Sequence, residues 1–247
     1  MFSKKSLSAL CVCAAIVSAA GVNAATDTTL TVKGTFVPAA CTPELSNSGV
    51  VDYGSMNNSV LEKPVSGSTL VQLGKKSITL TVSCDAATSV GIVAKDNRAS
   101  SKVEISSSAY IADYIPGQNM TTESAAFGLG TVNDMKIGAY SVTAMKDGLT
   151  ADGAAVDMIV KNRGGANSSW ENANSGALYY SDATRIVTVA ETGKTTPMLF
   201  KDLVMPLDIV SAVQNNGVLG AGTQIELDGN ATLSLVYLLY LYAVLLK

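Results

Sequence analysis

Two stretches of this chain alternate apolar and polar residues without a break. Over 77–84, Ile78, Leu80, Val82 and Cys84 fall on one side and Ser77, Thr79, Thr81 and Ser83 on the other. Over 28–36, Leu30, Val32, Gly34 and Phe36 share one face, and Thr29, Thr31, Lys33 and Thr35 the other. A period of two marks a half-buried strand, because successive side chains of an extended chain leave opposite faces. No segment carries an amphipathic helical pattern longer than two turns, and no repeat is visible. Hydrophobic residues make up 47% of the chain and charged residues 15%, which excludes a disordered chain and a coiled coil.

Further strands are expected at 50–53, 90–94, 127–132, 136–145, 156–161, 185–189, 203–213 and 224–238. A turn is expected at Asn133-Asp134 between two of them. Residues 97–126, rich in Ser, Ala and Thr, read as a long loop or insertion. Residues 162–177, with the single tryptophan Trp170, read as an exposed loop. Short strands separated by turn signals argue an all-β sandwich.

Residues 1–24 read as a secretory signal. Lys4 and Lys5 precede an apolar stretch of about 14 residues, too short to span a bilayer comfortably, and Val22-Asn23-Ala24 supplies the small residues before a cleavage site. A membrane anchor is the weaker reading on segment length. A lipoprotein signal is weaker still, because bulky Leu10 precedes Cys11. Cys11 and Cys13 leave with the signal, so the exported chain keeps Cys41 and Cys84. Two cysteines in an oxidising compartment most simply form one disulfide, worth about 4 kcal/mol by loop entropy. A redox or metal pair is disfavoured, since there is no CxxC and no histidine.

The missing histidine also excludes Ser-His-Asp and Cys-His nucleophiles, His-ligated zinc and an imidazole switch. No basic block lies along the chain, whose net charge is −3, so nucleic acid is not an expected partner. There is no GxSxG and no SxxK. Gly128-Leu129-Gly130 lacks the third glycine of a dinucleotide loop, and Asp147 and Asp152 have the wrong spacing for an EF-hand. The expectation is a protein that is not an enzyme and needs no cofactor or metal. Trp170, with Asn167, Glu171 and Asn172, is a candidate glycan contact, set against the commoner fate of packing on its own domain.

Three features together resemble subunits of chaperone–usher fimbriae. Leu30-x-Val32-x-Gly34 is followed seven residues later by Cys41. Cys84 closes an alternating strand, with Val51-x-Tyr53-Gly54 between the cysteines. The C-terminal strand ends Leu235-Val236-Tyr237-Leu238. The block Phe127-Gly128-Leu129-Gly130, the Trp170 loop and residues 227–232 look closer to a family of exported, fimbrial-like bacterial proteins.

The resemblance implies an immunoglobulin-like, pilin-like β-sandwich over 25–238 that lacks its last strand. It implies an apolar groove filled first by a periplasmic chaperone and then by another subunit, with an usher as the assembly partner. The place implied is the periplasm or the cell surface, and the strand bearing Leu233, Leu235 and Tyr237 is the surface a chaperone would read. Leu30, Val32, Gly34 and Phe36 form a first strand, or a donor strand. Only Ala25, Thr26 and Asp27 precede 28–36 after cleavage, too few to donate a strand as well as keep this one. The alternative function is a self-contained periplasmic or secreted binding module, glycan-binding through Trp170, that shares the fold without polymerising. The apolar tail 239–247 fits a strand completing the domain in cis, a membrane-associated end, or the readthrough of an altered stop.

Overall fold

The computed structural model describes residues 28–35, 39–162, 169–178, 185–220, 222 and 224–238. The expected signal at 1–24, Phe36, Asn167 and the tail 239–247 lie outside the described residues. The chain divides into two units, Met1–Val37 and Pro38–Lys247.

The second unit is an all-β sandwich whose described residues form seventeen strands. The first nine are β1 (Cys41–Leu45), β2 (Leu70–Thr88), β3 (Val90–Asp96), β4 (Ile111–Ile115), β5 (Gln118–Met120), β6 (Ala126–Gly128), β7 (Thr131–Val132), β8 (Met135–Lys136) and β9 (Gly138–Met145). There follow β10 (Thr150–Ala151), β11 (Ala154–Ala155), β12 (Asp157–Asn162), β13 (Glu171–Ala173) and β14 (Ser175–Ala177). The last are β15 (Arg185–Ala190), β16 (Phe200–Gln214) and β17 (Ala231–Tyr237).

One sheet runs β1-β2-β16-β10-β11, with β9 also paired to β16, β6 and β14; the other runs β13-β12-β15-β3-β17. All pairings are antiparallel. The inner faces meet in one core: Ile78, Leu80 and Val82 of β2 and Leu203, Met205 and Leu207 of β16 pack with Val90 and Ile92 of β3 and Met158 of β12. The alternation over 77–84 is thus a face of β2 turned inward, with Leu80 1% and Val82 0% exposed. Cys41 and Cys84 stand opposite each other in the β1–β2 register, 4.0 Å apart at Cα, and form the disulfide.

Both faces of β16 are buried over its second half. The outer face carries Val210 and Ala212, which pack with Ile111, Met120 and Val103 in a second, smaller core. The expected loop at 97–126 is therefore partly ordered as the β4–β5 hairpin lying against the sheet. Gln72 fastens it: its amide nitrogen donates to the Tyr110 carbonyl (2.9 Å) and its amide oxygen accepts from the Ala112 N–H (2.9 Å).

The structure corrects four other expectations. Residues 28–35 join no sheet, and Leu30 and Val32 are 88% and 86% exposed, so this stretch is not a core-facing first strand. Residues 50–53 join no ladder either, since Gly49 and Gly54 at each end take left-handed φ values of 76° and 69°. The last strand is shorter than 224–238: pairing begins only at Ala231, because the Asp228 N–H donates to the Leu129 carbonyl instead (2.9 Å). The Trp170 loop contains the short strands β13 and β14. Asn133 and Asp134 do form the turn, with φ of 47° and 63° joining β7 to β8, the left-handed pair that a two-residue hairpin favours.

Candidate functional site

The strands β1 and β17 lie at the edges of different sheets, and they meet at one end. There the Cys41 N–H donates to the Tyr237 hydroxyl (3.1 Å). Beyond that contact a cavity of about 930 Å³ opens, lined by the start of β17 (Ala231, Leu233) but by neither Leu235 nor Tyr237. Its floor is the core face of the first sheet: Ile78, Val142, Leu207 and Ile209. One wall is the segment preceding β17, with Ile225 and Leu227; the other comes from Leu45, Val51 and Leu61. Met56 and Val60 at the mouth are 42% and 39% exposed. The lining is mixed, an apolar floor with polar groups such as Asp52, Asn57 and Glu226 around it, and the cavity lies at the upper end of the range for sites that hold a ligand.

Local sequence explains the open wall. Between β1 and β2 the chain runs as turns rather than as a strand. The Asp52 carboxylate accepts from the Gly54 N–H (2.6 Å), and Asn57 caps a short 3-10 helix, Asn58–Glu62, by accepting from the Ser59 N–H (2.9 Å). These residues bring apolar side chains to the groove but no ladder.

Tyr53 lies in the groove beside Ser211. The Tyr53 hydroxyl lies 3.2 Å from the Gly74 carbonyl and 3.3 Å from the Ile209 carbonyl, both acceptors within its reach. Burial pushes the Tyr53 phenol above its ordinary value, with Ser211 pulling the other way. Tyr140, on the same floor, is also pushed up by burial and by Asp96. Both phenols are therefore neutral hydrogen-bonding groups at ordinary pH.

The edge of β17 has a definite phase. The Asn97 N–H donates to the Asn230 carbonyl (3.0 Å) and the Leu238 N–H to the Ser89 carbonyl (2.9 Å). In the antiparallel register with β3, the bonded residues are then Thr232, Ser234 and Val236. The main-chain groups of Ala231, Leu233, Leu235 and Tyr237 point the other way, along an edge to which no described strand pairs. The side chains of Ala231, Leu233 and Leu235 meanwhile pack toward the core. A groove with an apolar floor thus runs beside a row of N–H and C=O groups to which no described strand pairs, the arrangement that accepts an added strand.

Of the residues singled out from sequence, the structure brings Leu233 into the groove, puts Leu235 on the same strand face, and makes Tyr237 its closed end. Cys41 sits at that end. Trp170 does not line the groove: it lies beside β13, at the opposite edge of the second sheet, with the Lys161 ammonium 5.9 Å from its ring centre. Glu171 and Asn172 fall on β13 itself. Sequence reasoning missed Tyr53, Leu61, Ser211 and Ile225 as lining. The paired glycines around 50–53 were the available signal that this stretch lines a cavity rather than extending a sheet. Among the described residues, no group of three or more Cys, Asp or Glu is placed to hold a metal ion.

The family model described as Protein of unknown function (DUF1120) matches residues 30–141. Protein GltF of Escherichia coli (strain K12) is 38% identical over 254 residues, covering 96% of this chain and 100% of GltF. The chain belongs to this family. Uncharacterized protein YhcF of the same organism is 32% identical over 231 residues, covering 89% of this chain and 94% of YhcF. No solved structure matches the chain. The family match takes in the exposed segment around Leu30 and Val32, β1 and β2 with the disulfide, and Ile78 and Tyr140 of the groove floor, but not Val142, Leu207 or Ile209.

Proposed function

We propose that this protein is a non-enzymatic, exported subunit of a fimbrial-type assembly that works by strand complementation. The groove beside β17 accepts an extended segment, and residues 30–36 of another copy supply it. The observation that carries this reading is the pairing of an unpartnered, apolar-lined strand edge with an exposed segment of strand pattern. β17 spans seven residues, about 23 Å, and 30–36 is the same length. Leu30 and Val32 are almost fully exposed, unusual for large apolar residues two apart. Because 28–35 join no sheet of the described residues, the shortness of 25–27 no longer argues against a donor. The charges also suit, since the one charged residue of the segment is Lys33 and the groove lining includes Asp52 and Glu226.

The same edge is where a periplasmic chaperone would bind before assembly, because a strand of any origin satisfies it. The test is self-association of the chain beginning at Ala25, followed by sedimentation. The unaltered protein should form concentration-dependent oligomers, and Val32→Asp should be monomeric. Oligomers that persist in Val32→Asp would remove 30–36 as the donor.

A further inference from the structure

We infer that Tyr53 is the positioning residue of the groove: its hydroxyl pins the ladderless wall 50–57 to a bulge in β2, and so fixes the gap that an incoming segment must fit. This rests on the strand-acceptor reading above. The two sides of the groove are held in different ways. β17 is paired to β3 along its whole length. Residues 50–57 join no ladder. Most of their hydrogen bonds close within a few residues: the Val50 N–H donates to the Asn47 carbonyl (3.0 Å), the Gly54 N–H to the Asp52 carboxylate (2.6 Å), and the Asn57 side chain accepts from the Ser59 N–H (2.9 Å). Such turns shape the segment without deciding where it stands against the sheet.

Tyr53 decides that. Among the described residues, the hydrogen bonds that carry 50–57 to a strand are those of its hydroxyl, to the Gly74 carbonyl of β2 (3.2 Å) and the Ile209 carbonyl of β16 (3.3 Å). The hydroxyl has one proton, so it serves one of these acceptors at a time. The register of β16 against β2 slips at this point. Ser211 stands opposite Gly74 and Ala212 opposite Gln72, which leaves Leu73 as an extra residue. Gly74 takes a left-handed φ of 82°. Together these mark a bulge, which bends the strand and disrupts its ladder locally. The ring of Tyr53 is held as well, with the Lys76 ammonium 5.8 Å from its centre.

The neighbours of Tyr53 follow from this anchor. Val51 is partly buried against the core, while Asp52 between them is exposed. Val51, Asp52 and Tyr53 all line the groove. A segment lying along β17 meets this wall on its other side. A wall already in place costs the incoming segment nothing to order, whereas a loose one would take its ordering out of the affinity.

The experiment measures binding of a synthetic peptide covering 28–36 to the Val32→Asp chain beginning at Ala25, with and without Tyr53→Phe, at a temperature where both are folded. Tyr53→Phe keeps the ring and removes the hydroxyl. Affinity should fall about fivefold, the equivalent of one hydrogen bond. Without peptide, the amides of Val50 and Gly54 should exchange severalfold faster in Tyr53→Phe, while those of β2 and β16 stay protected. Bound peptide should restore much of that protection. A tyrosine that only stabilises the fold would lower the unfolding midpoint and leave affinity unchanged. Unchanged affinity, or no faster exchange at Val50 and Gly54, overturns the inference and leaves the acceptor reading standing. If the peptide binds neither chain, the acceptor reading falls and this inference falls with it.

Discussion

Residues 28–35 and 77–84 carry nearly the same alternating pattern and end in opposite environments. Leu80 and Val82 are 1% and 0% exposed, while Leu30 and Val32 are 88% and 86% exposed. A period of two says that a segment has an apolar face suited to a sheet. It does not say which sheet supplies the pairing, or whether that sheet belongs to the same molecule. Within 77–84 the partners lie on both sides, β1 and β16. The first segment has no partner strand among the described residues, and β17, seven residues long, keeps an edge to which no described strand pairs.

The largest effect should come from placing the same charge in each segment. Val82→Asp buries a carboxylate with no partner in the middle of the core and should lower unfolding free energy by about 4 kcal/mol, measured in urea. Val32→Asp sits on an exposed residue and should leave the unfolding midpoint of the isolated chain unchanged within about 0.5 kcal/mol. Equal destabilisation by the two would mean that 28–36 packs as part of its own domain, and the contrast would collapse.

Next in size is the disulfide that holds β1 to the second of these segments. Replacing Cys41 and Cys84 by Ser together should cost about 2–4 kcal/mol, seen as a drop in urea midpoint that adding reductant to the unaltered protein reproduces. A reductant-insensitive midpoint would show that the ladder from Cys41 to Leu45 suffices to hold β1 in place.

A smaller effect is expected where 77–84 meets the outer face of the sheet. Asp208 is buried, accepts from the Ser77 hydroxyl (2.6 Å), and pairs with the Lys75 ammonium (2.9 Å). Asp208→Asn should cost about 1–2 kcal/mol, because the remaining groups lose a charged acceptor. Asp208, through its hydrogen bond and its charge, holds the Lys75 ammonium above its ordinary value. A raised folded value means the contribution is whole below the ordinary lysine range and is lost as pH climbs through it. Lys75 is half exposed, so solvent screens the gain. The unfolding midpoint should fall between neutral and strongly alkaline pH, and Lys75→Met should flatten part of that fall.

What the sequence made legible was local. The turn at Asn133-Asp134, the inward face of 77–84 and the strand starting at Val90 depend on neighbours in the chain, and each formed. What it hid was tertiary. The hairpin β4–β5 lies where it does because Gln72, some forty residues earlier, supplies main-chain-like bonds to Tyr110 and Ala112. Residues 224–227 alternate polar and apolar as a strand would, yet Gly229 lies so close to the Tyr140 ring that a side chain there would collide with it, and the segment becomes a groove wall instead. Beyond the glycines that flank 50–53, the groove could be expected only from the resemblance, because it is made by residues missing from a ladder rather than by a motif.

The smallest predicted effect lies where the closed and open ends of the domain touch. Tyr237 is 47% exposed, so its ring contributes little burial, and its hydroxyl ties it to β1 by accepting from the Cys41 N–H. Tyr237→Phe removes that acceptor and keeps the ring. Water can replace the lost bond at this exposed position, so the cost to unfolding should be about 0.5 kcal/mol. The more telling change is in exchange of the Cys41 amide with solvent, which should quicken severalfold while the amides of Ser83 and Thr81 across the ladder stay protected. Freed of the tyrosine, Cys41 would regain a donor on the β1 edge, so self-association should strengthen slightly rather than weaken. Weaker association in Tyr237→Phe, with stability unchanged, would instead make the hydroxyl part of what the incoming strand binds, and the closed end would have to be redrawn as part of the open one.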